Sequence, residues 1–249
     1  MSVVPSPAVA RRRPALWSWV VAASGGLLVA IAVAVGVWWG ASSHTRVTTF
    51  DARGTIPQVV LDLAGADLAL SGGDADAPIR VERTDRYAFD HAARARRRLQ
   101  GGRLTVSSRC PRVLLGECRA SYRVTVPPNV ELTVRATSGD VVLDGFRGTA
   151  HVTTTTGRVV VGGYCGFGLT VRTVSGDVDA AAVCAPERMA LRSTEGGVRA
   201  VVPPGSYRID AASNTGAHSV RGLTSAEGSS FQIQALSGSG DVSVEAAPA

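Results

Sequence analysis

The sequence predicts an all-β protein: a β-solenoid (β-helix-like) of about six rungs of 18–20 residues, with an N-terminal β cap and one preceding transmembrane helix. Three observations predict it. A glycine-centred phrase recurs through the C-terminal half, apolar and polar residues alternate around each copy, and a charge-free apolar run lies near the N-terminus. The recurring glycines are Gly139, Gly157, Gly176, Gly196, Gly216 and Gly240. Their spacing of 18 to 24 residues is typical of solenoid repeats.

The alternation around each glycine predicts two half-buried strands per copy. When the sequence is aligned with itself at a shift of one copy, similar residues fall at the same positions. The first predicted inward column is Leu132, Ala150, Leu169, Met189, Ile209 and Ile233. Copies stacked in chain order at the ~4.8 Å strand spacing would join these columns into one core. A β-sandwich with hairpin pairing stays open as an alternative, because alternation does not reveal parallel stacking.

The N-terminal region predicts a tail and a membrane anchor. Residues 1–14 contain three prolines and end in Arg11–Arg13, so we expect a cytoplasmic tail. Residues 15–40 form a transmembrane helix in this interpretation, because 26 residues without a charge can span ~30 Å of hydrocarbon. The arginines before the run predict a single-pass protein of the cell membrane with a cytoplasmic N-terminus and an extracytoplasmic domain. A cleavable signal peptide is the alternative.

The rest of the chain divides by pattern. Residues 41–45 form a short polar linker, residues 46–126 an N-terminal β cap region, and residues 127–246 the solenoid repeats. The cap should cover the first rung, since a solenoid end exposes unpaired strand edges. At the other end we expect the rung that finishes at Val244 to be the last of the stack.

Charge is concentrated in one block of the predicted cap. Residues 80–123 carry twelve arginines against four acidic residues, and the whole chain contains no lysine. The densest part holds Arg94, Arg96, Arg97 and Arg98. Such a block can bind anionic lipid or a cell-wall polymer, or it can be a solvated loop or short helix. Nucleic acid is not expected, because the predicted topology places the block outside the cell.

The cysteines lie at positions that predict disulfides rather than a metal site. Cys110 and Cys118 bracket a short loop, and Cys165 and Cys184 are one repeat length apart. Pairing Cys110 with Cys118 and Cys165 with Cys184 is therefore favoured among the three connectivities. A metal site is the alternative, but Cys-x-x-Cys is missing and the histidines are scattered. No cofactor is predicted.

Catalytic motifs are missing from the sequence: it has no Gly-x-Ser-x-Gly elbow, phosphate-binding Walker loop or His-Glu-x-x-His. A non-enzymatic protein is therefore expected. A carbohydrate-active enzyme on a β-helix scaffold is one alternative, and it requires carboxylates that converge in one groove. A subunit of an envelope stress-sensing membrane complex is another, and it requires Val142, Val160 and Val201 to form one exposed apolar patch.

The phrases Ser138–Val141 and Ser175–Val178, with a looser copy at 237–242, resemble the repeats of the DUF4097 family, whose members are bacterial surface β-solenoids named as candidate adhesins. Tyr122–Pro128 resembles that family's entry into its repeats. The resemblance implies a bacterial cell-envelope protein with no assigned reaction, and it supplies no binding residues. The predicted function is thus non-catalytic adhesion, recognition or scaffolding by a membrane-anchored domain, with another envelope protein as a further candidate partner.

Overall fold

The computed structural model describes residues 16–41, 43–88, 91–111 and 118–248. The chain divides into two compact units, Met1–Ser43 and His44–Ala249. The first unit holds the helix α1, Leu16–Ala41. The predicted cytoplasmic tail, residues 1–14, lies outside the described residues.

The second unit is built from strands. Their bounds are β1 Ser43–Ala52, β2 Gln58–Ala64, β3 Ala66–Gly72, β4 Ile79–Ala88, β5 Arg94–Gln100, β6 Arg103–Arg109, β7 Cys118–Val126, β8 Glu131–Ala136, β9 Val141–Asp144, β10 Ala150–Thr156, β11 Val159–Tyr164, β12 Gly168–Ser175, β13 Val178–Ala182, β14 Arg188–Glu195, β15 Val198–Val202, β16 Ser206–Ser213, β17 His218–Arg221, β18 Thr224–Ser225, β19 Gln232–Ser239 and β20 Val242–Ala246.

These strands form two sheets of ten strands each. Sheet A has the order β1-β4-β7-β3-β9-β11-β13-β15-β20-β17, and sheet B has the order β18-β16-β19-β14-β12-β10-β8-β2-β6-β5. A rung is a pair of consecutive strands, one in each sheet. Neighbouring rungs pair in parallel, whereas β4 pairs with β7 and β5 with β6 antiparallel, so both sheets are mixed. The fold is therefore all-β and solenoid-like.

The core lies between the two sheets and follows the predicted inward columns through the middle of the stack. Leu132, Ala150, Leu169 and Met189 stand in register on β8, β10, β12 and β14, and each is fully buried. Each Å² of apolar surface removed from water contributes about 25 cal/mol to stability. Burial along such columns is therefore the main source of stability for thin rungs. Tyr164, the last residue of β11, is buried in the core. Its hydroxyl donates to the Gly148 carbonyl at 2.9 Å, and burial raises its pKa.

Chain order and spatial order differ at both ends of the stack. The β2–β3 rung lies between the β6–β7 and β8–β9 rungs, and the β19–β20 rung lies between the β14–β15 and β16–β17 rungs. The strand that finishes the repeats is therefore internal, and the prediction that its rung ends the stack is wrong. His218 gives the physical reason: it occupies the inward column of β17, and it stays exposed only because that rung is outermost.

The recurring Gly-Asp turns connect neighbouring rungs through their carboxylates. Asp140 Oδ1 accepts the Arg158 backbone N–H at 2.9 Å, and Asp177 Oδ1 accepts that of Gly197 at 2.8 Å. Asp241 Oδ1 does the same for Ala217 at 2.9 Å. An aspartate after the turn glycine thus satisfies a backbone donor of the next rung, which accounts for its recurrence in the sequence.

In the described part of the chain, no helix combines the length and the apolar character needed to cross a membrane. The prediction of a transmembrane helix at 15–40, with a single-pass location in a cell membrane, is therefore corrected, since the described residues give it no support. The predicted fold class, a β-solenoid preceded by a transmembrane helix, is also corrected. The strands form two mixed sheets of a solenoid-like, all-β fold.

Candidate functional site

The arginine block of the sequence forms a β-hairpin at the edge of sheet B. Strands β5 and β6 are joined by Gly101 and Gly102, whose φ angles of 57° and 72° suit a two-residue type I′ turn. The interpretation of this block as a loop or short helix was wrong, because the glycine pair directs the chain back along itself. Across the hairpin Arg94 pairs directly with Arg109, and Gln100 pairs with Arg103.

The hairpin sorts the predicted arginines onto two faces. Arg94, Arg96 and Arg98 lie opposite outward-facing residues of β6 and share the outer face of sheet B. Arg97 points the other way, and its guanidinium lies 5.0 Å from the centre of the Phe50 ring. Of the four arginines that the sequence predicts to bind a polyanion or lipid, three share the outer face and Arg97 packs on Phe50 instead; their role in binding stays a prediction. Arg103 and Arg109, which the hairpin adds to the cluster, were missed; the Gly101–Gly102 pair was the signal for them.

A buried ion pair fixes the segment that leads into β5. Arg83 donates through Nε to Asp85 Oδ1 at 2.8 Å, and its Nη2 donates to the Ala93 carbonyl at 2.6 Å. Asp85 is 2% exposed. Because a buried charge must be paired and hydrogen-bonded, this contact holds the start of β5 against β4.

We call Arg94, Arg96, Arg98, Arg103 and Arg109 the hairpin arginines. Further arginines continue across the outer face of sheet B, on β8, β12 and β14. Arg135, Arg172 and Arg192, the axial arginines, lie in one row with Thr153 between the first two. The side chains of Arg94, Arg96, Arg98 and the axial arginines make no ion pair or hydrogen bond with any residue that the structure describes.

Sheet A carries its charges differently. Two of its outward arginines are paired, Arg80 with Asp51 at 3.0 Å and Arg123 with Glu82 at 2.7 Å, whereas Arg86 lies opposite Arg119 and has no acidic partner among the described residues. The hydrogen bond from Arg80 lowers the pKa of Asp51. Glu245 accepts from Arg199 at 3.3 Å. Sheet B has one ion pair of this kind, Arg109 with Asp62 at 4.0 Å, and more arginines without a described acidic partner, so its outer face is the more basic one.

A shallow groove of about 360 Å³ connects the two sets of arginines on sheet B. It runs from Arg103 to Arg135. Arg103 Nε donates to Gln58 Oε1 at 2.9 Å, and Gln58 Nε2 donates to Glu131 Oε2 at 2.9 Å. Thr105 and Thr133 complete a lining that is rich in hydrogen-bonding groups.

Comparison with known families decides what this stack is. The Toastrack DUF4097 family matches residues 123–248, just over half of the chain. The chain belongs to the Toastrack family. The resemblance inferred from the Ser-Gly-Asp-Val phrases is thereby confirmed, and the β1–β6 region, with the arginine hairpin, precedes the matched part of this Toastrack protein.

Solved structures resemble this chain at low sequence identity. A candidate cell adhesion protein from Clostridium sporogenes is 11% identical, with a TM-score of 0.50 over 82% of this chain and 100% of that one. A candidate adhesin from Bacteroides fragilis is 12% identical, with a TM-score of 0.40 over 82% and 97% of the two chains. A candidate lipid binding protein from Parabacteroides distasonis is 8% identical, with a TM-score of 0.26 over 82% and 97%. No curated protein matches the chain significantly.

Both disulfides of this Toastrack protein have the favoured pairing. Cys110 bonds to Cys118, with Cα atoms 5.8 Å apart, and joins the end of β6 in sheet B to the start of β7 in sheet A. Cys165 bonds to Cys184, with Cα atoms 4.8 Å apart, and joins the turns of two adjacent rungs. The first disulfide lies directly beside Arg109, so it anchors one end of the arginine hairpin.

Carboxylates also meet in a groove of this Toastrack protein, on sheet A. Asp67, Glu82 and Asp140 line it. Each already accepts a hydrogen bond: Asp67 from the Asp140 N–H at 3.1 Å, Asp140 from the Arg158 N–H, and Glu82 from Arg123. Each of these carboxylates thus has a structural role in the fold, because one of its oxygens accepts a hydrogen bond from a neighbouring strand or turn.

The outward-facing valines of sheet A fall into separate rows, and of the three only Val142 is exposed while Val160 and Val201 are half-buried. Val142 lies next to Val160, but Val160 is followed across the sheet by Asp179. Val201 pairs with Ala181, two residues further along that strand. The single apolar patch required for a subunit of a membrane complex is therefore interrupted by a charged residue.

Proposed function

We propose that this Toastrack protein is a non-catalytic recognition module that adheres to polyanions through the hairpin arginines. The observation that supports the proposal is that Arg94, Arg96 and Arg98 share one face and have no acidic partner among the described residues, while Arg109, opposite Arg94, has only Asp62 at 4.0 Å. Like charges crowded on one face repel each other, and a bound anion would remove that repulsion. The adhesion description of the Clostridium sporogenes neighbour agrees with this coarse class of function.

Arginine is suited to such a partner. Its planar guanidinium donates two parallel hydrogen bonds to a carboxylate or phosphate, and it stays charged at every physiological pH. The face is open, so each contact is screened over a Debye length of ~8 Å at physiological ionic strength. Affinity should therefore come from several contacts at once, and it should fall steeply with added salt.

The test measures binding of the purified oxidised chain to anionic and neutral lipid vesicles and to soluble anionic polymers over a salt series. Replacing Arg94, Arg96 and Arg98 together with Gln should lower affinity for the anionic probes more than tenfold at low salt. Arg97 is kept, because its contact with Phe50 is a packing contact.

Two controls separate binding from other roles of the charge. The triple variant Arg53→Gln, Arg86→Gln, Arg147→Gln removes the same charge outside sheet B and should bind like the parent chain. Charged residues on an edge strand also prevent aggregation. The Arg94→Glu, Arg96→Glu, Arg98→Glu variant keeps a charged edge but should lose binding. Equal binding to neutral and anionic probes, or equal losses in the two triple Gln variants, would contradict the proposal.

A further inference from the structure

We infer that the axial arginines bind successive anionic groups of one extended acidic polysaccharide, laid across the strands along the stacking axis. The inference rests on the proposed function, and it assigns the class of polymer and its direction. It follows from the row that Arg135, Thr153, Arg172 and Arg192 form on consecutive strands of sheet B; on β2 the row begins with Asp62, directly beside Arg135.

The register fixes the spacing of the positive charges. Arg172 and Arg192 occupy neighbouring strands, ~4.8 Å apart, and Arg135 lies two strands, ~10 Å, before Arg172. All three side chains are exposed. Two arginines side by side without an acidic residue repel each other, and a bound anion between them would remove that repulsion. A linear polymer that crosses the strands would meet these charges in sequence.

The surroundings of the row favour a polymer that carries hydroxyl groups. Thr133, His151 and Thr170 form the parallel row beside it. These side chains donate and accept hydrogen bonds. Glu131, in the connecting groove, accepts hydrogen bonds but repels bare anions. Sugar hydroxyls satisfy such groups, whereas a polyphosphate presents only acceptors to them.

The same face is poorly suited to a lipid bilayer. Its outward positions on β6, β2, β8, β10, β12 and β14 contain no phenylalanine, tyrosine or tryptophan, and the exposed large apolar residue among them is Val174 alone. Aromatic and large apolar side chains are the ones that enter the interface of a membrane. Charge with hydroxyl groups on a flat face indicates a soluble or wall-bound polysaccharide instead.

Length connects the axial row to the hairpin arginines. From β5 to β14 there are six strand steps in sheet B, or ~29 Å. A short acidic oligosaccharide can therefore occupy the hairpin arginines alone, whereas one longer than this distance reaches Arg192 through the groove. Affinity should rise with oligosaccharide length until one molecule reaches both the hairpin arginines and the axial arginines. Its contacts with the axial arginines are then made by a molecule that is already bound.

The experiment measures binding of the oxidised full chain to oligogalacturonates of defined length, below and above ~29 Å when extended. The variant Arg172→Gln, Arg192→Gln should lower affinity for the long oligomers about tenfold and leave the short ones unchanged. The variant Arg86→Gln, Arg147→Gln is the charge-matched control, since both residues are exposed, lie outside sheet B and have no described partner.

The outcomes separate this inference from the proposed function. Affinity that does not depend on length, or an equal loss in the control variant, would overturn the axial arrangement while the hairpin variant still tests the proposed function. Polyphosphate of matched length that binds as tightly, with the same loss in the axial variant, would overturn the assignment to polysaccharide. Loss of all binding in the hairpin variant, with a length-dependent loss in the axial variant, supports both.

Discussion

At the turn of each rung, a glycine lies against the backbone of its neighbour. Gly176 has a φ of 145°, and a Cβ built there would collide with the carbonyl of Gly157. Gly157 stands in the same relation to Gly139. The close approach of backbones, together with the positive φ, leaves no space for a side chain. The recurrence of glycine that predicted the repeats therefore has a steric cause.

Gly176→Ala should lower the free energy of unfolding by about 3 kcal/mol or more, because it adds a backbone collision to the strain at positive φ. Gly101→Ala is the control: its φ of 57° is also positive, but nothing lies within 4 Å of the added Cβ, so the loss should be about 1 kcal/mol. Urea unfolding of both variants without reductant measures the difference. Equal losses would mean that the contact between turns has no energetic weight.

At the scale of the elements, the local pattern predicted most strands but misjudged one. Alternation identified the strands of the rungs, because each buries every second residue. Strand β5 has no such pattern: all seven of its residues are exposed. It is held by pairing with β6 and by the Gly101–Gly102 turn, so composition alone suggested a helix or loop. The arginine cluster could be predicted as a block, but its division into two faces could not.

The disulfides give a prediction at the same scale. Replacing Cys165 and Cys184 together with Ser should lower the free energy of unfolding by about 3 kcal/mol, because the unfolded chain regains the entropy of an open loop. The Cys110→Ser, Cys118→Ser variant should lose about 0.7 kcal/mol less, since its separation is 8 residues against 19. Calorimetry without reductant compares the two. A larger loss from the shorter loop would contradict this loop-entropy account.

At the scale of the whole molecule, the columns were predictable and the order of the end rungs was not. Ile209 and Ile233 occupy the same inward column, as do Ala211 and Ala235. Because the two rungs present the same residues to the core, the repeat pattern cannot tell which one lies inside. His218 was the residue that could have decided it, since Val242 fills the equivalent position on β20.

A matched pair of substitutions tests the spatial order. Ile233 is 1% exposed, whereas Ile209 is only partly buried at the end of the core. Ile233→Ala should cost about 3 kcal/mol of unfolding free energy, and Ile209→Ala about 1 kcal/mol. Denaturant unfolding measures both. A stack in chain order predicts the opposite ranking, because Ile209 would then be the internal residue.

The position of the β19–β20 rung also constrains how the protein is made. The ribosome releases β16 and β17 before the strands that must separate them from β14 and β15. A growing chain can complete its rungs one after another only as far as β15. The next segment must wait, or pair wrongly, until residues 232–246 have emerged. The middle of this protein can therefore fold as it is synthesised, whereas its final closure requires the last rung to have been translated.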